Sequence, residues 1–261
     1  MEEQRQFPSV IYEVVADHVG LLTISRPNVR NAIDENVTRS IDALVDQIEL
    51  DPDIWVMVIT GAEKCFCAGA DLNEVAGGRL GRLFTHNGFA GFTHSKRRKP
   101  WIAAVEGVAA AGGFEIALAC DMIVASADAR FSLPEVRRGL IASSGGAYRL
   151  PRALPRHIAL ELIATGAFLS AQKGFDLGLL NCLAKAGEAV ADAVALASRI
   201  CANAPIAVRE SLMVARAAFD MTDSELFRLG NDAQARVMAS EDFKEGPRAF
   251  LEKRMPLWIN G

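Results

Sequence analysis

Two glutamates stand in surroundings that ordinarily exclude charge. Glu115 lies in Gly113-Phe114-Glu115-Ile116-Ala117-Leu118-Ala119, where no other side chain is polar, and Glu135 follows Phe131-Ser132-Leu133-Pro134. A carboxylate in a buried helix needs a partner or a task. Burial and mutual repulsion would leave such a pair as one carboxylic acid and one carboxylate near neutral pH, the combination that general acid–base chemistry requires. The structural alternative is an ion pair, with Arg137 or Arg138 as partner, and a first-turn acid in a helix opened by Pro134.

Two small-residue turns, each after a strand-like run, supply a second kind of chemistry. They are Cys67-Ala68-Gly69-Ala70-Asp71 and Ala109-Ala110-Ala111-Gly112-Gly113-Phe114-Glu115. A strand that passes through such a turn into a helix leaves main-chain N–H groups unpaired. Two of these turns side by side could hold one negatively charged oxygen, although close packing alone also explains small residues. Cations form the third group: Arg26 and Arg30 after the second strand, Lys64 at the mouth of the first turn, and Lys253-Arg254 near the carboxyl end. Arginine and lysine suit a ligand with several phosphates, and equally a solvated surface.

The elements that must position these residues read as alternating strands and helices. Runs at 10–15 and 21–25 are strand-like, with a hairpin turn at Asp17-His18-Val19-Gly20. Apolar residues at Ile33, Val37, Ile41, Leu44, Val45 and Ile48 have helical spacing, which predicts a helix over 34–50. Strands are expected at 54–60, 101–105, 121–126 and 130–133, with a helix over 113–119 and a further turn at Ser143-Ser144-Gly145-Gly146. Residues 77–100, with five glycines and the basic run Lys96-Arg97-Arg98-Lys99, read as a flexible lid or specificity region, the basic run being a solvated helix end. From about Ser170 the chain turns mostly helical, with helices near 187–203, 206–219, 223–238 and 241–253, the third opened by the capping box Thr222-Asp223-Ser224-Glu225. The fold class expected is α/β, with residues 1–200 as the core that carries the site and residues 201–261 as a helical layer for association.

Composition narrows the function. The 261 residues are 51% hydrophobic, with 28 basic and 32 acidic side chains and a net charge of −4. That length supports one large core, and the charge argues against a nucleic-acid or anionic-membrane footprint. No apolar run reaches the roughly 18 residues of a spanning helix, and Met1-Glu2-Glu3-Gln4-Arg5-Gln6 lacks a signal core, so a cytoplasmic location is expected. Five scattered cysteines, including Cys65-Phe66-Cys67, do not have metal or redox spacing and read as reduced thiols.

Arg26-Pro27…Asn31-Ala32, Ala68-Gly69-Ala70-Asp71-Leu72, Ala103-Ala104-Val105-Glu106-Gly107…Gly112-Gly113…Glu115, Pro134-Glu135 with Gly139, and Gly145-Gly146 with Leu150-Pro151-Arg152 resemble the enoyl-CoA hydratase/isomerase family, the crotonases. The resemblance runs to Glu245-Gly246-Pro247-Arg248-Ala249-Phe250…Lys253-Arg254. It implies a spiral of ββα units with a C-terminal helical layer that builds a homotrimer or a hexamer of paired trimers. It also implies Glu115 and Glu135 as the catalytic pair, Glu115 polarising the water that attacks Cβ and Glu135 supplying the proton to Cα, and the N–H groups of Ala68 and Gly112 as an oxyanion hole. Arg30, Ala32, Lys64, Ala70, Asp71, Leu72 and Pro134 are the implied coenzyme A and substrate contacts, with Phe250 and Lys253 reaching the nucleotide from a neighbouring subunit. The implied reaction is reversible syn addition of water to a 2-enoyl-CoA, coenzyme A being part of the substrate and no metal or redox cofactor being needed.

An isomerase could manage with Glu135 alone, and a non-catalytic, RNA-associated scaffold is disfavoured by the charge and by the two retained glutamates. Ala142 stands where relatives usually carry proline. Gly88-Phe89-Ala90-Gly91-Phe92 and Gly112-Gly113-Phe114-Glu115 are similar to the carnitinyl-CoA dehydratase branch, which implies a short or polar acyl group.

Overall fold

The structure is a computed structural model and describes residues 5–7 and 9–260. Met1 to Gln4, part of the amino-terminal stretch read above as lacking a signal core, lie outside the described residues. In chain order, β1 (Arg5–Phe7), β2 (Val10–Ala16) and β3 (Val19–Ile24) precede α1 (Glu35–Leu50), β4 (Val56–Gly61) and the short α2 (Leu72–Ala76). A two-stranded hairpin of β5 (Phe84–Thr85) and β6 (Gly88–Phe89) leads to β7 (Trp101–Val105), β8 (Val108–Ala110) and α3 (Gly112–Ala119). Then come β9 (Met122–Ser126), β10 (Arg130–Ser132), a 3-10 turn at Pro134–Arg138, α4 (Gly146–Ala153) and α5 (Arg156–Thr165). The chain continues through β11 (Leu169–Ser170), α6 (Ala171–Asp176), β12 (Cys182–Ala184), α7 (Ala189–Cys201), α8 (Pro205–Ala217), α9 (Asp223–Met238) and α10 (Asp242–Glu252).

Seven strands form the main sheet in the order β1-β2-β3-β4-β7-β9-β12, and every pair from β3 onward is parallel. Parallel strands covered on both faces read as unbroken apolar runs, and β4 and β7 are buried at every position. Alternation sends Met57 and Ile59 to the face under α1, where Ile41, Leu44 and Ile48 pack. Val56 and Val58 go to the opposite face, under Ala189, Ala193 and Ala197 of α7.

A second, three-stranded sheet of β11-β10-β8 lies beside the first. Its rows extend through isolated bridges, Cys67 to Ala109 and Ile33 to Ala70. β7–β8–α3 and β9–β10 with its 3-10 turn therefore repeat one plan: a strand in the large sheet, a short strand in the small one, then a helical turn. This is the expected α/β spiral of ββα units.

Several expectations need correction. The hairpin turn is Asp17-His18 alone, with His18 at φ 61°, while Val19 and Gly20 already pair in β3. Residues 77–100 are not an irregular lid: Leu83, Phe89, Ala90 and Phe92 are core residues. Asp42 of α1 anchors the segment, accepting from Thr85 Oγ1 at 2.6 Å and Asn87 Nδ2 at 3.0 Å. The basic run does not end a helix, and only Lys96 and Arg98 are solvated. Lys99 is buried, with Nζ on the carbonyls of Ile48 and Asp51 at the end of α1. Arg97 lies over the Phe92 ring, 3.8 Å from its centroid, and Arg98 pairs with the buried Glu210 at 2.5 Å. Long-range capping and burial, which local composition does not encode, account for all three.

No single helix among the described residues is long and apolar enough to cross a membrane. All five cysteines are free, and burial pushes Cys67 and Cys120 up to about 12, so neither is a ready nucleophile.

Candidate active site

Glu115 sits in the first turn of α3 and is 4% exposed. Its Oε1 accepts from Gly146 N at 3.0 Å. Burial raises its carboxyl above the ordinary 4.5, opposed by the donors of Gly146 and Ser144 and by the nearby Arg149. Glu135, in the 3-10 turn, is 8% exposed and its Oε2 is buried with no partner. Burial, with the charge of Glu115 adding to it, pushes Glu135 up to about 7. The two acids are thus neighbours in unlike settings, Glu115 with donors from Gly146 and Ser144 and Glu135 with its own main-chain N–H and one unpartnered oxygen. Neither is ion-paired among the described residues: Arg137 donates to Thr165 O, and Arg138 only moderates the rise at Glu135. The reading of a structural ion pair is set aside.

Main-chain donors face the same region. Ala111, the residue before α3, has φ 51° and ψ −129°, a strained conformation for a side chain with a Cβ. It turns the chain sharply from β8 into α3 and leaves the Gly112 N–H, at the first helical position, without an intrahelical acceptor.

The first turn requires a correction. Ala68 N–H donates to Arg30 O at 3.0 Å, so it is already used and cannot serve as the second oxyanion donor. Ile33 N donates to Gly69 O and Asp71 N to Ile33 O, each at 2.8 Å. Along an extended segment successive N–H groups face opposite sides, so Ala70 N–H points away from Ile33. It has no acceptor among the described residues. Gly69, at φ 94°, lets the turns touch: a Cβ there would lie 2.8 Å from Ala111 Cβ and 3.0 Å from Gly112 N. Ala70 and Gly112, not Ala68 and Gly112, are the available pair.

The remaining expected contacts divide. Arg30 and Lys64 are exposed beside the turn, and Ala32 is buried, its carbonyl accepting from Arg26 Nη1 at 2.5 Å. Asp71 has structural work, pairing with Arg26 at 3.0 Å and capping α2 through Asn73 N at 3.0 Å. Burial would raise its carboxyl, but Asn73 and Arg26 outweigh that and hold it below its ordinary value. Leu72 is exposed and Pro134 opens the 3-10 turn. Phe250, 83% exposed, and Lys253 lie at the far end of α10, and no contact joins them to this site within the chain among the described residues.

Sequence reasoning missed Phe89, whose ring occupies the space a Cβ on Gly112 would need. It also left Ser144, Gly146 and Arg149 without roles. The Gly145-Gly146 turn was the available signal, since a glycine pair before a helix offers bare N–H groups.

Comparison with known proteins identifies the family. The family model described as Enoyl-CoA hydratase/isomerase matches residues 15–261. The chain is 40% identical to a carnitinyl-CoA dehydratase of Proteus mirabilis, over 91% of this chain and 93% of that protein. It is 38% identical to a mevalonyl-coenzyme A hydratase of Aspergillus fumigatus, over 92% and 91%. A crystal structure of an enoyl-CoA hydratase from Mycobacterium tuberculosis superposes with a TM-score of 0.93 at 40% identity, covering 98% of this chain and all of that one. The chain belongs to the enoyl-CoA hydratase/isomerase family.

Proposed function

We propose that the protein is an enoyl-CoA hydratase, adding water reversibly across the double bond of a 2-enoyl-CoA. The observation that carries this reading is the pair of buried, unneutralised carboxyls beside two free main-chain N–H groups. The thioester oxygen would sit on Ala70 N–H and Gly112 N–H, which stabilise the negative charge it gains when Cβ is attacked; such a donor is typically worth about 10²–10³ in rate. Glu115, supplied with donors that favour its ionised form, would take a proton from water as the oxygen bonds to Cβ. Glu135, with a pKa about 7 and an orphaned oxygen, would hold the proton delivered to Cα on the same face. Returning one proton from Glu115 to Glu135 restores the pair, and the chemistry needs no metal or redox group.

Arg30 and Lys64 would meet the phosphates of coenzyme A, with the backbone around Ala32 at its nucleotide end and Leu72 along the pantetheine arm. The similarity to a carnitinyl-CoA dehydratase and a mevalonyl-coenzyme A hydratase supports a short or polar acyl group. Exposed apolar side chains on α8–α10 and after them, Phe227, Phe250 and Leu257 among them, support a homotrimer in which Phe250 and Lys253 reach a neighbour's nucleotide. The protein would act in the cytoplasm on a small-molecule thioester rather than on a membrane or a nucleic acid.

The test is turnover of a panel of enoyl-CoAs in oxygen-18 water. Labelled 3-hydroxyacyl-CoA is expected, with Glu115→Gln and Glu135→Gln each lowering kcat about 10²–10⁴-fold. Unlabelled, double-bond-shifted product would make the protein an isomerase instead.

A further inference from the structure

The loop that presents Gly146 N–H to Glu115 is tied to a distant segment by one side chain. Arg149, in α4, folds back over Gly145, where any Cβ would collide with its guanidinium. Its Nη1 donates to Ser144 O at 3.0 Å and its Nη2 to Thr93 O at 2.5 Å. Thr93 is buried at the end of the segment whose Phe89 covers Gly112. The planar fork therefore joins two backbones that approach the site from different sides: one lies on the oxyanion turn, the other holds Glu115.

We infer that Arg149 is a positioning residue, whose guanidinium sets the Phe89–Thr93 segment against the Ser144–Gly146 loop and so fixes the N–H groups that orient Glu115. The inference rests on the proposed role of Glu115 as general base. A lysine cannot replace it fully, because a single ammonium does not span two carbonyls with the geometry of a rigid fork. Its charge acts as well. The titratable groups facing Glu115 are Glu135 and Arg149, and those facing Arg149 besides Glu115 are His94, Tyr148, Cys120 and Arg152, of which Arg152 carries a charge. His94 and Tyr148 bond each other at 2.7 Å, which leaves the guanidinium as the cation that favours the Glu115 carboxylate.

Arg149→Met, Arg149→Lys and Glu115→Gln, compared with the parent protein by steady-state kinetics on crotonyl-CoA and by amide hydrogen exchange, test this. Arg149→Met is expected to lower kcat about 10–100-fold with KM changed less than about threefold, the scale of a small misplacement at a reacting centre. Exchange at residues 143–147 should speed up while β4 and β7 keep their protection. The acidic limb of kcat should move to higher pH, since removing the cation raises the Glu115 pKa. Arg149→Lys should keep that limb near its original pH but not recover kcat. Unchanged kcat and loop exchange in Arg149→Met would overturn the inference, and so would protection lost evenly through the chain, the mark of a merely structural residue. Full turnover by Glu115→Gln would overturn the underlying role of Glu115, whereas the exchange at 143–147 would still report whether Arg149 holds the loop.

Discussion

Glu115 and Glu135 have the same side chain and nearly the same burial, and burial raises both carboxyls above the ordinary value, yet their surroundings differ. Donors from Gly146 and Ser144 oppose burial at Glu115; at Glu135 its own main-chain N–H and Arg138 oppose it, while Oε2 has no partner among the described residues. The consequence reaches stability. Glu135 titrates at about 7 when folded against an ordinary 4.5, so between these values the folded state holds a proton the unfolded chain has lost. Stability from this group is full below 4.5 and is lost as pH rises through 7. Glu135→Gln, which cannot ionise, should therefore be more stable than the parent at pH 8, by about 1–3 kcal/mol, with much less difference at pH 5. Thermal melts at the two pH values measure this, and an equal difference at both would contradict it. The pair itself was legible in the sequence, because a charged residue in an apolar helix is conspicuous. The division of roles came only with the family resemblance and not from the residues themselves, because the donors to Glu115 come from residues 144–146, some thirty positions away.

At the scale of elements, two turns carry the site, and strain is built into one of them. Ala111 holds a positive φ that glycine adopts freely, a cost of about 1 kcal/mol. Ala111→Gly relieves it while adding disorder to the unfolded chain, so the melting temperature should rise by about 1–3 °C with turnover within about twofold. A clear loss of turnover would mean that the methyl group packed toward Gly69 is itself needed. Strands and most helices were readable from apolar period, but α4 and α5 were not. Pro151 lies inside α4 and Pro155 stands at the start of α5, both of which read locally as breaks. The oxyanion donor was misplaced for a related reason. Ala68 and Ala70 are equivalent by composition, and only pairing with Arg30 and Ile33 decides which N–H is spent.

For the whole molecule, the chain ends in a layer that leaves large apolar side chains exposed, among them Phe219, Phe227, Phe250, Leu251 and Met255. The last residues return to the body, where Trp258 Nε1 donates to Ala202 O at 2.9 Å. Glu245 holds this return by accepting from Arg254, Leu257 N and Arg248, which keep its carboxyl far below the ordinary range. A layer pinned this way but left uncovered suits association. Light scattering should give about three times 28.1 kDa, or twice that again, and Phe227→Glu should shift the mass toward one chain. A monomeric parent protein would remove the neighbour that Phe250 and Lys253 are proposed to serve.

The central claim is that both acids and both free N–H groups address one conjugated thioester. A crystal structure with a bound acyl-CoA tests it most directly. The thioester oxygen is expected about 3 Å from both Ala70 N and Gly112 N, with the α and β carbons facing Glu135 and Glu115. A carbonyl bound elsewhere, or carboxyls turned away from those carbons, would contradict it.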